Sequence, residues 1–105
     1  MNAVDSPLAR LLRGWLHQDY DLRYPDVPSA LRAYRAQTPA QERRRVLVEI
    51  AALLAANAGD DALYRELRER GFIFYPPRDG ERTRDWLLRA RALLDMEDAE
   101  EERDR

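Results

Sequence analysis

The chain has no cysteine and no lysine. Without thiols, neither a disulfide framework nor a thiolate metal site can form. Its one histidine, His17, leaves too few imidazoles for a zinc site, and no glycine-rich phosphate loop is present, so we expect no metal and no cofactor. Only four residues are glycine and six are proline, and β-branched residues are few, which weighs against a sandwich or barrel of many short strands. The longest apolar run, Val46 to Ala58, is broken by Glu49 and falls short of the roughly 20 residues of a membrane span. Residues Met1 to Ser6 lack the charged start and apolar stretch of a secretory signal. A reducing, cytoplasmic setting without membrane contact is the expectation. Charge of one sign is also missing: 18 basic residues stand against 20 acidic ones, a net −2, so the mean field does not draw the chain to nucleic acid. We read the all-arginine basic set as a compositional bias of the genome.

The 105 residues amount to one domain. The 36% charged and 45% hydrophobic content, against about 25% charged in an average domain, fits amphipathic helices. Ser6-Pro7 opens the first, whose Leu8, Leu11, Leu12, Trp15 and Leu16 recur at helical spacing to about His17 or Gln18. Asp26 caps a second with Leu31 and Tyr34 on its inner face. Thr38-Pro39-Ala40-Gln41 has the form of a capping box before a third. Val46, Leu47, Ile50, Ala51, Leu53, Leu54 and Ala58 make that helix apolar around so much of its circumference that several neighbours must cover it. Gly59 is expected to end it in a left-handed conformation and Asp60 to cap a fourth carrying Leu63, Tyr64 and Leu67. Gly71 stops the fourth; Phe72 to Tyr75 read as extended, ended by Pro76-Pro77 and an Asp79-Gly80 turn. Thr83 opens a fifth with Trp86, Leu87, Ala90, Leu93 and Leu94 on one side. The pattern predicts an all-α single-domain bundle of about five helices with a short extended segment before the last, occupying residues 1–105, with a charged tail from about 95. One core is expected from Trp15, Leu16, Ile50, Leu53, Leu54, Leu67, Trp86 and Leu93, with Phe72 and Phe74 added from the extended run and Gly14 admitting a neighbouring helix.

Chemistry-bearing residues concentrate in Trp15 to Asp21. A histidine beside Asp19 and Asp21 is raw material for general acid–base catalysis, and a small hydrolase using His17 with either carboxylate is one reading. A histidine at a helix C-terminus is also favoured by the dipole and can close the helix onto the next loop; with no cysteine and no second histidine to complete a site, we prefer that role and expect no enzymatic activity. Arg43-Arg44-Arg45 invite a nucleic-acid-binding reading, but on a helix they point about 100° apart and fit a solvated face.

The stretch Trp15-Leu16-His17-Gln18-Asp19-Tyr20 ending the first helix, the Leu53-Leu54 pair in the long middle helix and the Trp86-Leu87 pair opening the last together resemble the small immunity proteins of bacterial contact-dependent growth inhibition. The resemblance spans residues 8 to 94, with His17-Gln18-Asp19 as its specific motif. Members carry Tyr-Phe before that motif and Trp after it; here Trp15-Leu16 and Tyr20 keep the bulk. The resemblance implies an inhibitor that binds the C-terminal domain of a cognate toxin in the bacterial cytoplasm. Such toxins are often nucleases, whose active sites are basic towards phosphate, so clustered carboxylates are expected on the inhibitor. In an up-and-down bundle the loops after the first and third helices share one end. That places Asp19, Asp21 and Asp61 together as toxin-binding residues, with Tyr20 and Tyr24 as aromatic anchors; Asp26 and Asp60 are better read as caps.

Overall fold

The described residues form five helices: α1 (Pro7–Trp15), α2 (Val27–Gln37), α3 (Ala40–Ala56), α4 (Asp60–Glu69) and α5 (Thr83–Leu94). Short 3-10 turns lie at Tyr20–Leu22 and Pro76–Asp79, and no strand occurs among the described residues. The computed structural model describes residues 5–95 and, within them, not the side chain of Tyr20. The charged tail expected from about 95 lies, past Asp95, outside the described residues.

Local signals work where the bond is local. Ser6 Oγ accepts the Ala9 N–H at 3.1 Å, and Asp26 Oδ1 accepts that of Ser29 at 2.8 Å, so each satisfies a donor that its helix cannot. Gly71 turns the chain after α4 with φ +98°, and the Phe72 N–H returns to the Leu67 carbonyl. The expected capping box is absent. The N-cap of α3 is Pro39 and makes no side-chain bond, one residue later than the box needs, while Thr38 terminates α2. Gly59 is not left-handed, with φ −86°; α3 is closed by its C-cap Asn57, whose backbone N–H and Nδ2 both donate to the Leu53 carbonyl.

One core joins the helices. Leu8, Leu11, Leu12 and Leu16 meet Ile50 and Leu53 of α3, Leu63 and Leu67 of α4, and Leu87 and Leu94 of α5. Leu54, Trp15, Trp86 and Leu93 are only partly buried against it, because each sits at the rim of its helix's inner face. The apolar circumference of α3 is not covered as expected: Val46, Ile50 and Leu53 are buried, whereas Val48 is 69% exposed and Ala51, Ala52, Ala55 and Ala56 face out. Gly14 meets no neighbour that a Cβ would touch, so close helix approach is not its role. The extended residues 72–75 alternate as a strand would. Phe72 is buried against Trp86 at 4.7 Å between ring centroids, Phe74 is partly buried, and Ile73 and Tyr75 are exposed.

Asp60 does not cap its own helix; it caps α5. Its two carboxylate oxygens accept the Thr83 and Arg84 N–H groups, each at 2.9 Å. Arg84 in turn donates to the Leu54 and Asn57 carbonyls at the end of α3. Burial is the largest influence on the Asp60 carboxyl and pushes its pKa up, but the two N–H bonds and the nearby Arg82 outweigh it and hold it below the usual carboxylate value. A lowered folded pKa stabilises fully above the unfolded value of about 3.9 and less as pH falls through the folded one. Asp60→Ala should therefore cost about 1–2 kcal/mol at neutral pH, the usual loss of a cap. In urea titrations the gap between variant and wild type should close as the pH drops below about 4; a gap unchanged at pH 2 would refute this role.

Candidate partner-binding surface

The connection between α1 and α2 is closed by its own side chains. Leu16 leaves the helical region with φ −119° and ψ 36°, so α1 stops at Trp15, two residues before the sequence pattern suggests. His17 Nδ1 then accepts the Asp19 N–H at 3.1 Å. An accepting Nδ1 carries no hydrogen, so the neutral ring bears it on Nε2. That bond folds the chain into the Tyr20–Leu22 turn, whose last N–H returns to the Asp19 carbonyl. Burial of Leu16 holds the loop's start; its far side is held by rings. Trp15 stacks on Tyr24 at 6.2 Å with planes 25° apart and meets Tyr34 of α2 edge-on at 5.7 Å.

The loop so fixed displays Asp19, Asp21, Leu22 and Arg23 to solvent. Leu22 is 81% exposed, an apolar side chain between charged neighbours that the sequence pattern does not single out, since no helical or strand period includes it. Tyr24 is half-buried and lines, with Trp15, His17 and Gln37, a cleft of about 280 Å³. The Tyr20 side chain falls outside the described residues. Asp61 is exposed in the first turn of α4, beside the Asp60 bonds to α5, whereas the loop of Asp19 and Asp21 rests on α1 and α2.

The other chemical readings find less support. The hydrogen bond recorded at His17 is the turn-closing one to the Asp19 backbone, and no carboxylate bond orients its ring among the described residues. No group of three or more residues that could hold a metal occurs among the described residues. Nor is any helix there long and apolar enough to cross a membrane. Of the arginine triplet, Arg43 donates to the Arg35 carbonyl, while Arg44 and Arg45 are exposed, as three residues spread around a helix must be.

The match to known families starts at the cap of α1 and stops at the end of α5: residues 6–94 match the family described as CdiI immunity protein. The chain belongs to that family. The resemblance carried by His17-Gln18-Asp19, Leu53-Leu54 and Trp86-Leu87 is borne out, as is the all-α architecture. The fold is similar to that in the crystal structure of a CdiA-CT/CdiI complex from Y. kristensenii 33638, with a TM-score of 0.79 and 27% identity over 90% of this chain and 100% of that chain. No curated protein sequence matches the chain. In this member of the family, His17 of the motif has a structural task, closing the turn that presents Asp19.

Proposed function

We propose that the chain neutralises a cognate toxin by binding its C-terminal domain in the bacterial cytoplasm, that the toxin is a nuclease, and that the chain performs no catalysis of its own. The observation that carries this reading is the family match over the whole five-helix domain. The Y. kristensenii structure, a complex of CdiA-CT with CdiI, supports a toxin C-terminal domain as the partner. We place contact at Asp19, Tyr20, Asp21 and Tyr24, with Leu22 as an apolar point between the carboxylates and Asp61 as a separate acidic contact. A loop fixed by the Trp15–Tyr24 stack loses little conformational freedom on binding, which favours affinity. Its free carboxylates would speed encounter with a phosphate-binding, basic surface.

Reversing Asp19 and Asp21 together to Arg should leave the helical circular dichroism and thermal midpoint nearly unchanged, since exposed charges contribute about 0–1 kcal/mol each. Affinity for the cognate toxin domain should fall at least about tenfold, roughly 1.4 kcal/mol, with much of the loss in the association rate at low salt. Unchanged affinity would move the interface off this loop.

A further inference from the structure

The cleft between the end of α1, the loop after it and the end of α2 is lined by Gly14, Trp15, His17, Arg23, Tyr24 and Gln37. We infer that it receives an acidic side chain of the toxin domain, held by Arg23, a contact that rests on the proposed toxin-binding reading and adds to it a charge of the opposite sign. The volume, about 280 Å³, is that of several waters and has room for one side chain. Two of its walls are the Trp15 and Tyr24 rings, which stack on each other and so keep their shape without a ligand.

Charge identifies the occupant. Asp19, Asp21 and Asp26 all belong to the connection between α1 and α2, yet no carboxylate lines the cleft, and its charged lining residue is Arg23. Arg10, Arg70, Arg82 and Arg89 each pair with a carboxylate of the fold, whereas the exposed Arg23 forms no ion pair among the described residues. The neutral groups beside it can donate: His17 carries its ring hydrogen on Nε2, because Nδ1 accepts the Asp19 N–H, and Gln37 brings an amide. A guanidinium with further N–H groups around it matches a carboxylate, while an entering lysine or arginine would meet its own charge. Gly14 is a second sign. Glycine within a helix is less favourable than alanine, and a Cβ at Gly14 would have no neighbour within 4 Å, so packing does not require it; what a side chain there would do is narrow the cleft. Acids that steer a basic partner, beside a base that demands an acid at one point, fix the register of docking and reject partners lacking that acid.

Isothermal titration calorimetry of the full chain with the cognate toxin domain tests this. Arg23→Gln should weaken binding at least about fivefold and Arg23→Glu at least about thirtyfold, with the circular dichroism unchanged. Steering alone predicts the opposite sign, since Arg23→Glu makes the loop more acidic and would tighten its hold on a basic partner. Gly14→Gln puts a better helix former into α1, so it should raise the thermal midpoint and still weaken binding at least about tenfold. Arg23→Glu binding as tightly as wild type, or more tightly, overturns the inference, as does full affinity in Gly14→Gln. If those variants bind normally while reversal of Asp19 and Asp21 weakens binding, the cleft is wrong and the loop assignment stands. If wild type itself does not bind the toxin domain, the toxin-binding reading fails and the cleft contact falls with it.

Discussion

Phe72→Ala should lower the stability of the chain by about 3–5 kcal/mol, the usual cost of emptying an aromatic site in a core. The ring is 2% exposed and is surrounded by others: Trp86 at 4.7 Å, Phe74 at 5.6 Å and Tyr64 at 6.2 Å, each pair edge-on. These come from α4, α5 and the extended segment, so the cavity would open where three parts of the chain meet and could not close by shifting one of them. Packing of this kind adds about 0.5–1.5 kcal/mol per ring pair beyond area burial. In a domain of this size about 4 kcal/mol corresponds to roughly 15–25 °C in thermal midpoint, a large part of the stability of an ordinary small domain. Differential scanning calorimetry would measure it directly. Phe74→Ala, at a ring only partly buried, should cost clearly less. Equal losses at the two positions would show that residues 72–75 pack differently from the alternation seen here.

That contrast was partly legible in the sequence, and the limit of legibility has a physical cause. Phe72 and Phe74 are recognisable as inward residues from alternation alone, as are the caps at Ser6 and Asp26, whose partners are three residues away. The helix stop at Gly71 is equally local. Asp60 is the same residue type as Asp26 and stands like it at a helix start, but it is the first residue of α4 rather than its N-cap, and its oxygens bond 23 and 24 residues away, which no local pattern encodes. Thr38 to Gln41 carry the letters of a capping box, yet the N-cap of α3 falls one residue late, at Pro39, and a shift of one residue removes both reciprocal bonds. Period also misleads on α3. Alanine is apolar enough to extend a hydrophobic pattern but is equally the best former of a solvent-facing helix, so the pattern cannot say which side is covered. The candidate site divides in the same way. His17 as the closure of α1 follows from its place at a helix end, whereas Leu22 has an exposure that only the path of the loop determines. Asp61, grouped with Asp19 and Asp21 by counting helices up and down, is exposed in the first turn of α4.

Glu49 is the residue whose importance the sequence conceals most, and Glu49→Ala should cost about 3–5 kcal/mol, as expected when one partner of a largely buried ion pair is removed. In the sequence it looks like an interruption of an apolar run. In the fold its side chain is only 14% exposed and joins three helical segments. Oε1 accepts the Leu8 N–H at the start of α1, 2.9 Å away, and Oε2 takes the Nε–H of Arg70 just beyond α4 at 2.5 Å. Arg70 is itself only 12% exposed and has a second partner in Glu66. Burial works most strongly on its guanidinium and against its charge, but the two carboxylates outweigh burial and raise its pKa. Alanine at 49 would leave that cation with Glu66 alone and the Leu8 N–H without an acceptor, and a buried donor so orphaned costs about 1–3 kcal/mol. Glu49→Gln keeps an acceptor for Leu8 while removing the charge, so it should recover part of the loss; the order wild type, Gln, Ala in urea midpoints separates the two bonds. Hydrogen exchange adds a local readout, because the Leu8 amide should exchange faster in Glu49→Ala by more than the global destabilisation accounts for. The consequence reaches the proposed binding loop: α1 carries Trp15, Trp15 holds Tyr24, and a less firmly seated α1 would present Asp19 and Asp21 less rigidly. In the fraction that remains folded, toxin affinity should drop about threefold or more with both carboxylates still in place. If instead Glu49→Ala is as stable as wild type, the acid is a surface charge, and α1 is held to α3 by its leucines and the Arg10–Glu42 pair.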